Sequence, residues 1–202
     1  MVAALPTDEQ EFYFASVIPP RYWKARVSDL PEKLQQRIKE LAEDKGLFLW
    51  GPPGVGKTHT MCALAREYLK QGYTVQRTIY ELLCLRLRDT MKKTSTETEW
   101  SVIRPLLETD ILLVEDVGTT KSEGNIESDF SNRTFLVLLD YRLENCLPTF
   151  VTTNRPVEEL AKTFDERIAS RLLEACEIVK LTGGDRRIAE KESEDGAKQE
   201  QT

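Results

Sequence analysis

Histidine is all but missing from this chain: His59 is the only one. The four cysteines, Cys62, Cys84, Cys146 and Cys176, lie far apart and form no C-x-x-C pair. Together these shortages argue against a zinc site, and the cysteines read as reduced thiols on apolar faces. No apolar run is long enough to span a bilayer. The N-terminus also lacks a basic start followed by a long apolar stretch, so no secretory signal is expected. An excess of positive charge is absent as well. The net charge of −6 argues against a wholesale nucleic-acid coat, although a basic strip can still segregate to one face. No internal repeat is visible. What these absences leave is a cytoplasmic globular chain. Its 202 residues, 40% hydrophobic and 31% charged, suffice for one well-buried core.

Against that background stands one octapeptide, Gly51-Pro52-Pro53-Gly54-Val55-Gly56-Lys57-Thr58. It fits G-x-x-x-x-G-K-[ST]. The apolar run Leu47-Phe48-Leu49-Trp50 precedes it and reads as a buried strand. Met61, Leu64, Ala65, Tyr68 and Leu69 follow at helical spacing. Strand, glycine loop and helix start make a phosphate cradle. Glycines let the backbone approach a triphosphate, successive N–H groups point at its oxygens, and the helix N-terminus favours negative charge. Lys57 is expected to reach the β- and γ-phosphates of ATP, and the Thr58 hydroxyl to ligate Mg2+. His59, next in the first helical turn, is expected beside the nucleotide rather than in catalysis. The plain alternative, a chance glycine turn before a helix, does not account for the flanks.

Strands and helices alternate along the chain. Strands are expected at 47–50, 74–79, 111–114, 149–153 and 177–181. Helices are expected at about 31–44, 58–71, 80–93, 97–107, 129–145, 156–163 and 165–175. Repeated βα alternation with apolar strands predicts a parallel five-stranded sheet covered on both faces, an α/β fold. Residues 1–15 read as a short leader without a clear period. Residues 16–182 read as the core and 183–202 as a charged tail, disordered from 186 onward. A Gly/Ser/Asn-rich loop is expected over 118–128. Trp23 and Trp100 are expected to pack in or against the core.

Three further positions carry chemistry. Val114-Glu115-Asp116 ends the third strand, where a P-loop enzyme holds its magnesium. Glu115 is expected to ligate the ion and Asp116 to orient or deprotonate an attacking water. The alternative is a solvated strand end. Thr152-Thr153-Asn154-Arg155 ends the fourth strand, and Asn154 could position water or contact the γ-phosphate. The same asparagine could also cap the next helix. Arg167 and Arg171 stand four apart on the last helix and so share a face. Spacing alone favours ion pairs within that helix, with Asp165 and Glu166 as partners.

Taken in order, Gly51–Thr58, Leu112–Gly118, Leu147–Asn154 and Asp165–Leu173 resemble the DnaC/IstB-type AAA+ ATPases. These are bacterial replicative-helicase loaders and the ATPase helpers of insertion-sequence transposition. Ile18-Pro19-Pro20-Arg21-Tyr22 also matches the start of their core, so the resemblance covers about residues 16–182. It implies a P-loop NTPase of the AAA+ three-layer type, with Lys57 and Thr58 in Walker A and Glu115 and Asp116 in Walker B. It further implies Asn154 as sensor 1, and Arg171, ahead of Arg167, as an arginine finger acting in trans. The helix at about 80–93, with Arg86, Arg88, Lys92 and Lys93, looks like the element this clade turns toward single-stranded DNA. A solvated basic face is the alternative.

The sequence departs from the family pattern in three places. Glu115 stands where Walker B elements usually carry Asp. About fifteen residues precede the core, where the helicase loader carries a sizeable helicase-binding domain. No helical lid is evident after the last strand. The resulting expectation is a switch-like, slow ATPase that forms a homo-oligomer on DNA and acts on a replicative helicase or a transposase. The alternatives are a nucleotide-gated clamp on DNA or a partner with little turnover, and a small-molecule kinase. A kinase needs a mobile arginine-rich lid and a substrate pocket, and neither is visible.

Overall fold

The computed structural model describes residues 7–118, 126–163 and 165–185. The expected tail from 186 onward, most of the 118–128 loop and the first six residues lie outside the described residues.

Five strands form the sheet: β1 (Gly46–Trp50), β2 (Val75–Ile79), β3 (Ile111–Glu115), β4 (Thr149–Thr153) and β5 (Cys176–Lys180). They lie in the order β2-β3-β4-β1-β5, and every pairing is parallel. The expected parallel five-stranded sheet is therefore present, with β4 directly beside β3. Because alternate residues face opposite sides, each inner strand is apolar on both faces. Leu47, Leu49, Ile111, Leu113 and Phe150 pack on one side. Phe48, Leu112, Val114 and Val151 pack on the other.

The helices divide accordingly. α1 (Thr7–Val17), α2 (Glu32–Glu40) and α3 (Lys57–Lys70) supply the first side, together with short 3₁₀ turns at Pro20–Tyr22 and Val27–Asp29. α4 (Tyr80–Thr90), α5 (Glu99–Glu108), α6 (Ile126–Glu144), α7 (Val157–Thr163) and α8 (Glu166–Ala175) supply the second. Three layers result, with a separate apolar core on each side of the sheet.

Some local expectations differ from what is observed. Residues 7–17, which show no apolar period in sequence, are helical. The Tyr13 hydroxyl donates to the Val75 carbonyl at 2.8 Å and accepts from the Val75 N–H at 2.7 Å, covering part of the exposed edge of β2. A tertiary anchor thus stands in for amphipathic pattern. α6 begins three residues earlier than expected, at Ile126. Trp23 and Trp100 are 45% and 58% exposed, so neither lies inside the core. Trp23 instead ties its indole N–H to the Ile18 carbonyl at 2.8 Å.

Candidate functional site

The loop between β1 and α3 sits at the C-terminal edge of the sheet, at the end of an inner strand between β4 and β5, where ligands bind in open parallel sheets. Gly54 and Gly56 have φ of 77° and 105°, values that side chains rarely adopt, so these two positions give the loop its shape. Lys57 opens α3 and is buried. Its ammonium donates to Gly51 O at 2.8 Å, Pro52 O at 2.9 Å and Asn154 Oδ1 at 2.7 Å. The last bond joins two segments 97 residues apart. The parallel pairing of β1 with β4, Trp50 opposite Thr153, is what puts both strand ends in one crevice. Tyr22 stands edge-on to His59, with ring centroids 6.5 Å apart, closing the flank of the loop.

β3 delivers the acidic pair. Glu115 is 2% exposed, and its Oε1 accepts from Arg77 Nε at 2.5 Å. Arg77 lies on β2 two residues before Ile79, the register partner of Glu115, so the two side chains share the face toward α3. Asp116 turns the chain with φ 58°, a left-handed conformation in a non-glycine residue. Its N–H donates to Thr152 Oγ1 at 3.1 Å, and the next N–H, from Val117, donates to Thr152 O at 2.9 Å. Thr152 is fully buried and pins the end of β3 to that of β4. Neither Arg77 nor Thr152 stands out in sequence. Both read as ordinary polar positions of a strand, and their roles depend on register.

The two arginines of α8 are engaged within the chain. Arg167 pairs with Asp165 at 3.0 Å, and Asp165 also caps the helix by accepting from the Arg167 N–H at 2.8 Å. Arg167 holds the Asp165 carboxyl below its ordinary range, mainly through the side-chain hydrogen bond. Arg171 pairs with Asp140 on α6 and with Glu174 at 3.2 Å. Arg86 and Arg88 lie on α4, and Lys92 and Lys93 on the turn after it, all exposed. Arg86 pairs with Glu97, and Lys92 with Asp89 at 2.5 Å.

The donor set suits magnesium triphosphate. Among the described residues no cluster of three or more His, Cys, Asp or Glu could form a metal cage. Magnesium needs none, since one or two protein oxygens plus phosphates satisfy it. Thr58 and Glu115 are the oxygens that would hold it. Also among the described residues, no helix is long and apolar enough to cross a membrane.

Fold and loop together define a P-loop protein of the AAA+ class. The IstB-like ATP-binding protein family model matches residues 11–194, and the chain belongs to that family. It is 27% identical over 141 residues to the replicative helicase loader DnaC of Escherichia coli K12, covering 69% of this chain and 55% of DnaC. It is 25% identical over 183 residues to the insertion sequence IS5376 putative ATP-binding protein of Geobacillus stearothermophilus, covering 85% of this chain and 69% of that one. A crystal structure of DnaI superposes with a TM-score of 0.68 at 24% identity, over 86% of this chain and 98% of that chain. The chain spans about half the length of the curated helicase loaders it matches.

Proposed function

We propose that this chain binds ATP with magnesium, hydrolyses it slowly, and uses the cycle as an assembly switch for a DNA-bound client. The observation that carries the reading is the Lys57–Asn154 contact, which couples the phosphate loop to the end of β4. Lys57 supplies positive charge where the terminal phosphates would lie. Asn154 fixes that ammonium by accepting its hydrogen bond at Oδ1. Thr58 and Glu115 would hold the metal, which when bound would screen the phosphate charge. Asp116, on its left-handed turn, orients the water. Arg171 acts from a neighbouring copy after leaving Asp140, so the site is completed only in a homo-oligomer. The client is a replicative helicase or a transposase, in the cytoplasm, a reading supported by the likeness to helicase loaders and to an insertion-sequence ATP-binding protein. Arg86, Arg88, Lys92 and Lys93 lie along α4 and the turn beyond it, where they would track a single-stranded DNA backbone.

A second reading, a nucleotide-gated clamp with little turnover, is favoured by the Arg77–Glu115 pair, which already compensates the carboxylate the metal needs. Phosphate release measured against protein concentration, with and without single-stranded DNA, tests both. A per-subunit rate that climbs with concentration and with DNA supports the assembling ATPase. A flat, near-zero rate with intact ATP binding supports the clamp.

A further inference from the structure

After β5 the chain does not leave the molecule; it runs back along the phosphate loop. The Leu181 N–H donates to Trp50 O at 2.7 Å, extending the β1–β5 pairing by one bond beyond the strands. The Leu181 carbonyl crowds Gly51, where a Cβ would come within 2.3 Å of its oxygen. A Cβ on Gly183 would stand 3.7 Å from Val55 Cγ2. At Gly54 a Cβ would fall 2.0 Å from Asp185 Oδ1 and 2.4 Å from Oδ2, so the carboxylate of Asp185 lies directly on the loop backbone. Between these anchors Thr182, Gly183 and Gly184 are exposed, and a Cβ on Gly184 would meet nothing within 4 Å.

The pattern is informative because the middle of this segment is unpacked. A glycine pair gives it hinge freedom, and the two exposed glycines carry no side chain of their own to fasten it. Its far end nevertheless rests on the loop that is built to receive an anion. A P-loop backbone with left-handed residues forms a concavity of N–H groups that attracts negative charge, and a carboxylate is the smallest anion the chain can offer. The Asp185 carboxylate stands against Gly54 of that loop, where a concavity of N–H groups favours negative charge.

We propose that residues 181–185 form an autoinhibitory strap, in which the Asp185 carboxylate occupies the mouth of the phosphate loop and must swing away on the Gly183–Gly184 hinge before a nucleotide phosphate can settle there. The proposal rests on the ATP-site reading. Its consequence is a conformational tax: apparent nucleotide affinity is reduced by the fraction of molecules in which the strap is closed. A partner that engaged the strap would raise nucleotide affinity without touching the nucleotide.

The test is a titration of the full chain with a fluorescent ADP analogue and, separately, with ATP, comparing the parent with Asp185→Asn. This substitution keeps size and removes charge. The expected result is affinity tighter by about three- to tenfold in D185N, with the gap narrowing as salt is raised. Unchanged affinity overturns the strap. Weaker affinity also overturns it, since Asp185 would then assist the nucleotide, as a carboxylate on ribose hydroxyls does. Hydrogen exchange on the parent chain gives an independent readout: ADP should protect 51–58 while loosening 181–185, and joint protection of both segments overturns the proposal. Nucleotide binding absent from both proteins overturns the ATP-site reading along with the strap, whereas equal binding overturns the strap alone.

Discussion

Arg77 donates from Nε to Glu115 Oε1 at 2.5 Å, tying the edge strand of the sheet to the first residue of the Glu115-Asp116 pair. The carboxylate is 2% exposed on its side chain and the arginine 15%, so solvent screens the pair poorly. Removing one partner strands the other. Arg77→Ala should therefore lower stability by about 3 kcal/mol, the low end for breaking a buried pair. Arg77→Met with Glu115→Gln should lose less than the sum of the single changes. Urea unfolding of the parent, Arg77→Met, Glu115→Gln and the double variant measures this coupling, and strict additivity would mean that the pair does not interact energetically.

Lys57 makes a separate prediction, because its ammonium is shared between two loop carbonyls and Asn154. Lys57→Ala should weaken ATP binding by at least about thirtyfold, as expected for deleting the charged partner of a buried phosphate contact. Asn154→Ala should leave affinity within a few fold and reduce turnover instead, since the asparagine aims the lysine rather than replacing it. A nucleotide titration paired with phosphate release separates the two, and unchanged affinity in the lysine variant would count against the site.

How much of this could be read in advance depends on whether a feature is local. The strands were legible because runs such as Ile111–Val114 are apolar on both faces, a pattern only a doubly covered parallel strand needs. The loop was legible because its shape is written in consecutive residues. α1 was not, because it is held by Tyr13 reaching Val75, 62 residues away, and by no period of its own. Arg77 and Thr152 were missed for the same reason: parallel strands meet only through crossovers, so register is a property of the whole sheet. Asp185 lies in a stretch whose composition reads as solvated tail, and only the fold brings it to Gly54.

Arg142 illustrates a structural use of charge with no catalytic component. It is fully buried and donates to Leu106 O, Leu107 O, Thr109 O, Asp110 O and Pro148 O at 2.8–3.3 Å, and to Thr149 Oγ1 at 2.9 Å. Four of those carbonyls lie at or just past the C-terminus of α5, which has no partners of its own to offer them. Burial pushes the guanidinium down to about 10, opposed by Asp110, so it stays charged at neutral pH. Arg142→Met should cost more than about 4 kcal/mol, because several buried acceptors lose their donors at once. Arg142→Lys, with one nitrogen in place of three, should fall between. Chemical denaturation midpoints decide it.

Asp165 gives the pH dependence. Its carboxyl is held below the ordinary range by Arg167 and by the helix N–H it caps, so the folded state favours the ionised form. A depressed folded pKa contributes stability above the unfolded value of about 3.9 and loses it as pH falls through the folded one. Asp165→Ala should therefore cost about 1 kcal/mol at pH 7, the usual worth of such a cap. The difference from the parent should shrink as pH drops below about 4. Thermal melts from pH 7 down to pH 3 follow it, and a gap that stays constant over that range would exclude the carboxylate as its source.

Arg171 sits between two assignments, and its partners make them separable. It pairs with Asp140 on α6 and with Glu174 one turn on, both solvent-accessible contacts that a better acceptor can displace. Acting in trans requires leaving Asp140 for a neighbour's phosphate. Arg171→Ala should then leave ATP affinity unchanged while reducing turnover by about a thousandfold, the lower range for a lost arginine finger. Asp140→Asn loosens the competing pair and should move the rise of phosphate release to lower protein concentration. Mixing Arg171→Ala with Lys57→Ala completes the argument. Each protein is inactive alone, but a shared interface between the intact lysine of one copy and the intact arginine of the other should restore part of the rate. No recovery at any ratio would confine Arg171 to its own chain and leave the Asp140 pair as a structural clasp between α6 and α8.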